Sequence, residues 1–411
     1  MMIHSVPWLV PVDGPVIRDG GVVTFDGRIV DIGKRGDIVG KYPQAIEKLH
    51  SAVLMPGLIN AHTHLELSHL QSTAVPPVDQ KFTDWIETVI SRRRIQSPSR
   101  GEIVASFTAT LQDQYDSGVV LIGDIGNEYY EELYQLRTNH QPEIIRMLEY
   151  LGPSRQACQD ALRRLPHVDK AIAVTAHAPY STAPDLLQEL KKRCNRLGHI
   201  FSIHTAESQD ERQFLLDGSG NFRFFLEKKN SWDGVFSFAE SGFSSTIAYF
   251  DQLGLLDEGT LLVHCVHVNE NDIRLIQARG SRICLCPGSN QYLRVGAAPV
   301  EKMVTVGLLP ALGTDSAASN HQLDLWHEMQ LVALSHPNLN RSIILAMATR
   351  GGAEALRREA DLGTLGRGKM AQFLHVSSDA LLRCRDEKQL IGELVSGGKP
   401  TEISWVSNCY E

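Results

Sequence analysis

His62 and His64 stand two residues apart in the stretch Pro56-Gly57-Leu58-Ile59-Asn60-Ala61-His62-Thr63-His64-Leu65-Glu66, directly after the apolar run Ala52-Val53-Leu54-Met55. On a β-strand alternate side chains share a face, so the two imidazoles point the same way. Two imidazoles on one side of a rigid strand make half of a metal site. An isolated His-x-His is equally compatible with two unrelated polar residues at a strand end. Three further fragments weigh against that bland reading, because each closes another apolar run: His204-Thr205-Ala206-Glu207, His264-Cys265-Val266-His267 and Gly313-Thr314-Asp315-Ser316. Three histidines and an aspartate from these ends would offer nitrogen and oxygen ligands to one divalent metal ion, Zn2+ or Fe2+. Such an ion activates water for hydrolysis near neutral pH.

The elements that must position these residues follow a regular rhythm. Eight strand-like runs occur, at Leu54–His64, Val119–Ile125, Glu143–Leu151, Lys170–Pro179, Ile200–Glu207, Thr260–Val268, Arg282–Pro287 and Leu309–Asp315. Helix-like segments lie between and after them, among them Phe82–Arg94, Glu102–Ser117, Ala183–Leu197, Asn271–Arg279, Leu323–Leu334 and Arg341–Leu356. Eight strand–helix repeats define an α/β chain folded as a (β/α)8 barrel, in which catalytic groups gather at the C-terminal ends of the strands. All four fragments sit at such ends. The segment 209–259 is long for one crossover, and it is expected to cover the barrel mouth. Residues 1–57 and 360–411 read as short β runs with glycine turns, including an Asp26-Gly27 hairpin signal. The expected organisation is a small β-sandwich from 1–57 and 360–411 beside a barrel spanning 58–359.

Composition excludes several classes of function. The chain has 411 residues, 43% hydrophobic and 21% charged, which describes a globular protein with a large core. A net charge of −8 argues against nucleic acid as a partner. The run Arg92-Arg93-Arg94 reads as a solvated helix face. No stretch of 18 apolar residues and no signal-like segment at Met1–Asp13 is present, so neither a membrane partner nor export is expected. Seven scattered cysteines without a Cys-x-x-Cys pair read as reduced thiols of a cytoplasmic protein. The sequence leaves a homodimer open.

Taken together, Pro56–His64, His204–Glu207, His264–His267, Cys286-Pro287-Gly288-Ser289-Asn290, Leu312–Asp315 and the tail Gly363-Thr364-Leu365 with Gly368-Lys369 resemble the amidohydrolase superfamily. They resemble its cytosine deaminase and chlorohydrolase branch, which deaminates purines and pterins. The pair Ala371-Gln372 stands where that family has Ala-Asp. The resemblance implies His62, His64, His204 and Asp315 as metal ligands. It implies Glu207 as the proton shuttle and His264 as the partner of the attacking water or the substrate, with His267 the nearby competitor. Binuclear relatives carry a lysine at the end of strand 4. Here that strand ends Ala176-His177-Ala178-Pro179, so one metal is expected. Asp315, beside the water, would take its first proton, and Glu207 would relay protons to the ring nitrogen and the departing ammonia.

Within that branch, His62–Ser68, His204–Ser208, Phe214-Leu215 and Gly220-Asn221-Phe222 are similar to the aminofutalosine deaminases of menaquinone biosynthesis. The implied substrate is a 6-aminopurine nucleoside, 6-amino-6-deoxyfutalosine, released as futalosine and ammonia. The alternatives are a deaminase of S-adenosylhomocysteine, methylthioadenosine or adenosine, a chlorotriazine-type hydrolase, and a non-catalytic scaffold. Expected substrate contacts are Glu66, His177 and Asn290. Arg294 and Arg146 are the expected partners of the benzoate carboxylate, because guanidinium can bond both oxygens.

Overall fold

The computed structural model describes residues 1–70, 80–127, 140–234 and 243–406. The eight expected strand runs all form strands: Leu58–Thr63, Val119–Gly126, Glu143–Tyr150, Ala173–Ala176, Phe201–Thr205, Thr260–His264, Arg282–Leu285 and Ala311–Leu312. They are called barrel strands 1 to 8 below. Strands 1–4 pair in parallel as one sheet and strands 5–8 as a second.

Hydrogen bonds join the two sheets at both seams. Between strands 8 and 1, Thr314 and Asp315 donate their backbone N–H groups to the His62 carbonyl at 3.0 and 3.1 Å. Between strands 4 and 5, the His204 N–H donates to the His177 carbonyl at 3.0 Å. Both seams therefore run through site residues. Gly313 is required at the first: a Cβ there would lie 2.7 Å from the His62 carbonyl and 2.9 Å from Cys284 Sγ. Without that side chain, strand 8 can press against strand 1.

Strands 4 to 8 are all shorter than their sequence runs. The residues beyond them leave the ladder to form the turns that carry the site. Ala206, His264, Cys265 and Asp315 all have left-handed φ, between +48° and +72°. That conformation costs roughly 1–2 kcal/mol for a residue with a Cβ. It persists where surrounding contacts hold it, as they do at functional sites.

Helices wrap the barrel close to their expected bounds: Phe82–Gln96, Arg100–Asp116, Pro184–Leu197, Glu270–Arg279 and Leu325–Ser335. The terminal segments share one seven-stranded sheet. Its order is Glu402–Val406, Phe373–Ser377, Val53–Pro56, Met2–Leu9, Ile17–Phe25 and Arg28–Lys34, with Ile46–Leu49 also paired to Met2–Leu9. The hairpin turn holds Asp26 and Gly27 at φ 48° and 70°, the left-handed pair a two-residue turn demands. Val53–Pro56 runs directly into barrel strand 1, so the sheet and the strand that carries His62 form one continuous support. The crossover 209–259, of which 235–242 lies outside the described residues, contains helices Gln209–Asp217, Asn221–Lys228 and Thr246–Gln252. Among the described residues no helix is long and apolar enough to cross a membrane. Cys158, Cys194, Cys265, Cys284, Cys286 and Cys384 are free thiols.

Candidate active site

The barrel brings His62, His64, His204 and Asp315 together: one ligand atom from each lies within 4.8 Å of all the others, and all four residues are buried. Asp315 Oδ1 is 3.5 Å from His62 Nε2 and 3.4 Å from His64 Nε2, and His64 Nε2 is 3.4 Å from His204 Nε2. Tetrahedral ligands ~2.1 Å from one centre are ~3.4 Å apart, so these edges fit a single divalent ion. The donor set agrees, because neither ring nitrogen of buried His62 has a hydrogen-bond partner among the described residues. A buried polar atom left unpaired is costly, and a cation at the centre removes that cost.

Neighbours aim these atoms. Asp315 Oδ2 accepts from Ser289 Oγ at 2.6 Å and Ser319 Oγ at 2.8 Å, which leaves Oδ1 to face the histidines. His204 Nδ1 lies 2.6 Å from the His177 carbonyl, so Nδ1–H donates there and the Nε2 lone pair turns to the cluster. Burial pushes the His64 pKa down to about 3, and the neighbouring His62 adds to the effect. Its imidazole is thus neutral, as a ligand must be. Asp315 is held below the usual carboxylate range. Burial opposes this, and the His62 contact with the surrounding imidazoles outweighs it.

Glu207 Oε1 lies 3.5 Å from His264 Nε2. Burial, and then the charges of Asp315 and Glu211, push the Glu207 carboxyl well above its ordinary value. A carboxyl with a raised pKa keeps its proton to higher pH and can deliver it. His264 Nδ1 is 2.9 Å from Asn290 Oδ1, which assigns the proton to Nδ1 and leaves the buried Nε2 facing the site. Burial lowers the His264 pKa to about 4. His267 does not share this place. It is half-buried, and its backbone N–H donates to the Ala206 carbonyl at 2.8 Å.

A cavity of about 410 Å³ opens from this cluster. Glu66 and His177 line it as the sequence suggested. The other three expected substrate contacts are corrected. Asn290 is bonded to His264 and is absent from this cavity's lining; it orients the His264 imidazole. Arg294 lines a separate cavity with Val300, Leu331 and His336, because it follows the short helix Pro287–Leu293 around to its far side. Arg146 lies beside Ala171, Ala173 and His199, near the strand starts, in a third cavity.

The guanidinium groups that do line the site are Arg93 and Arg94, from the run read as a solvated face. They end a stripe on helix Phe82–Gln96 formed by Phe82, Trp85, Ile86, Val89, Ile90 and Arg93. That helical spacing was readable; which element the stripe faces was not. Phe225, Leu226 and Lys229 from the long crossover complete the outer wall. Two inner residues also went unrecognised in the sequence. Glu149 is buried at the end of strand 3, and Asn127 Nδ2 donates to its Oε2 at 2.5 Å. Burial raises the Glu149 pKa to about 7 against the Asn127 bond.

With this fold and this ligand set, the chain belongs to the amidohydrolase family, whose sequence profile matches residues 53–399. Among individual relatives, it is 28% identical over 390 residues to a 5-methylthioadenosine/S-adenosylhomocysteine deaminase of Nitratidesulfovibrio vulgaris, covering 87% of this chain and 79% of that one. It is 29% identical over 384 residues to an aminodeoxyfutalosine deaminase of a Nitratiruptor species, covering 89% of each. Its structure is similar to that of Helicobacter pylori aminofutalosine deaminase in complex with methylthio-coformycin, with a TM-score of 0.80, 25% identity and 97% of both chains covered.

Proposed function

We propose that this chain hydrolytically deaminates an adenine-containing nucleoside, and that the nucleoside is 6-amino-6-deoxyfutalosine, which leaves as futalosine and ammonia. The observation that carries the reading is the meeting of Glu207 and His264 at 3.5 Å beside the His62–His64–His204–Asp315 cluster, where Glu207, His64, His204 and Asp315 line one cavity. Relatives of both deaminase types support the adenine nucleoside at 28–29% identity. The 5′ side chain is inferred from the cavity's wall, which combines the apolar Trp85, Val89, Leu151 and Phe225 with the cationic Arg93, Arg94 and Lys229. Such a wall suits an aromatic arm ending in a carboxylate.

A zinc or iron ion held by His62, His64, His204 and Asp315 would supply Lewis acidity and activate the attacking water. The residues divide the remaining work. Asp315 Oδ1, an anion facing the cluster, takes the first proton of the water. His264 presents Nε2 to the water while Asn290 keeps its ring from turning. Glu207 delivers its proton to the ring nitrogen, then passes the second proton of the water, released as the hydroxyl becomes a carbonyl, to the departing amine, and is reprotonated by the first, returned from Asp315.

Ammonia release across 6-aminopurine nucleosides with varied 5′ groups tests the reading. Aminofutalosine is expected to have the highest kcat/KM, ahead of S-adenosylhomocysteine, methylthioadenosine and adenosine. Turnover of S-adenosylhomocysteine without aminofutalosine would replace the substrate and keep the chemistry. Chloride release from a chlorotriazine with no ammonia from any nucleoside would replace both.

A further inference from the structure

Glu149 is 8% exposed and lines the catalytic cavity, yet it has no place in the deamination steps. Its two oxygens differ. Oε2 accepts from Asn127 Nδ2, whereas Oε1 is buried with no hydrogen-bond partner among the described residues. Asn127 is fixed in turn, since its backbone N–H donates to Glu66 Oε1 at 3.1 Å. Gly126 makes room for this: a Cβ there would lie 2.6 Å from Glu66 Oε2. Two buried acidic side chains are thus tied to one asparagine on the same wall. A buried carboxylate oxygen without a donor is costly to keep, so the wall is shaped for a donor that arrives with the ligand.

A metal ion is the first donor-free alternative. Glu149, His177 and His204 do offer ligand atoms within 4.8 Å of one another. His204, however, has its Nδ1 on the His177 carbonyl and its Nε2 in the first cluster, which leaves this second group two ligands. The chemistry of the nucleoside narrows the choice further. Its ring nitrogens are acceptors, and its 6-amino group is committed to the reacting cluster. The donors left to an adenine nucleoside are its sugar hydroxyls. The sugar is joined directly to the reacting base, and Glu149 lines the same cavity with its carboxylate within 4.8 Å of ring nitrogens of His177 and His204.

Resting on the nucleoside reading above, we propose that Glu149, anchored through Asn127 to Glu66, is the specificity residue for the 2′- or 3′-hydroxyl of the ribose. A site built around a hydroxyl donor rejects the analogue that lacks it, because its own polar group is left unpaired.

Calorimetric binding of inosine, 2′-deoxyinosine and 3′-deoxyinosine to the zinc-loaded protein tests this without turnover, since none carries an amine to lose. Wild type is expected to bind inosine about 10-fold or more tighter than at least one deoxy analogue, the scale of a hydrogen bond to a charged group. Glu149→Gln, which keeps the shape, is expected to erase most of that ratio at unchanged zinc content. Asn127→Ala is expected to weaken it in part. Equal binding of all three ligands by wild type, no inosine binding, or an unchanged ratio in Glu149→Gln would overturn the proposal. Two zinc equivalents in wild type falling to one in Glu149→Gln would overturn it in favour of a second cation. Hydroxyl discrimination without deamination of any nucleoside would leave this subsite standing and remove the deaminase reading. Deamination without discrimination would do the reverse.

Discussion

Glu211 accepts the backbone N–H of Glu207 at 3.2 Å on one carboxylate oxygen, and that of Ala206 at 2.7 Å on the other. Glu211 is fully buried in the first turn of helix Gln209–Asp217, and Thr246 donates its hydroxyl to the same carboxylate at 2.9 Å. The chain turns at Ala206 with φ +49°, so this clamp sets the direction in which Glu207 projects. In Glu211→Gln one acceptor becomes an NH2 group facing a peptide N–H. The lost bond is worth about 1–3 kcal/mol, which predicts a kcat loss of roughly 10-fold or more. Metal content and KM should hold. Unchanged kcat, or a loss of metal, would show that the clamp does not act through Glu207.

His204 offers one of the four candidate ligand atoms and is positioned through the His177 carbonyl. His204→Ala should lose most of its metal on dialysis and nearly all turnover. Far-ultraviolet circular dichroism should stay close to wild type, because the barrel core does not depend on this ring. Metal analysis of the dialysed variant decides the matter: full activity in a metal-free preparation would remove His204 from the ligand set.

Why the ligands were legible and the outer pocket was not follows from where each signal resides. His62, His64, His204 and Asp315 sit at strand ends within short local motifs, and parallel βα repeats force those ends to one face of a barrel. Glu207 and His264 are set by the same rule. Arg93 carries no local signature; its helix stripe gains meaning only once packed over the mouth. Arg146 shows the converse. It precedes Glu149 by three residues, about 10 Å along a strand, and that distance moves it from the mouth toward the strand starts. Asn290 sat on the right strand end, but its side chain was already committed to His264. Glu149 was hidden by its neighbours, since Glu143–Tyr150 reads as an ordinary buried strand.

Glu207→Gln keeps size and shape and removes the titrating group. It should bind metal and substrate as wild type does and lose about 10²-fold or more in kcat, the usual contribution of general acid–base catalysis. Single-turnover rates on metal-loaded protein measure the effect directly. Lost metal with undiminished turnover per bound ion would make Glu207 a ligand.

Acid should weaken the terminal sheet by a route that bypasses the metal. His4 Nδ1 lies 3.1 Å from His50 Nε2. Burial, and then the imidazole of His50 for His4 and of His375 for His50, lowers the pKa of each to about 4 from 6.5. The unfolded chain therefore binds more protons between these values, and stability rises with pH across that window. It is fully present above about 6.5 and is lost as pH falls toward 4. His50 is only half-buried, so solvent screening discounts its share, and the combined effect is roughly 1–3 kcal/mol. Urea melts of wild type and His50→Gln at equal metal loading, from pH 7.5 to 4.5, should show a shallower slope in the variant. Parallel slopes would assign the acid sensitivity elsewhere.

Under the proposed reading, Arg93 is expected to decide among adenine nucleosides. Arg94 is exposed, and Lys229 shares Glu87 with Lys228, at 3.6 and 2.9 Å. Arg93 is half-buried on the cavity wall, one helical turn beyond Val89 and Ile90, where an aromatic 5′ arm would end. Its planar fork can bond both oxygens of a carboxylate. Arg93→Met keeps the length and apolar character of the side chain and removes the charge. The variant should lose about 10-fold or more in kcat/KM for aminofutalosine, the effect of one charge-assisted hydrogen bond of ~1.5–3 kcal/mol. Methylthioadenosine, whose 5′ group carries no carboxylate, should change by less than about 2-fold, since it loses no such bond. Arg294→Met, in the separate cavity, should leave both substrates unchanged. Equal losses on both substrates in Arg93→Met would mean that the helix positions the nucleoside as a whole, and the carboxylate would need another partner.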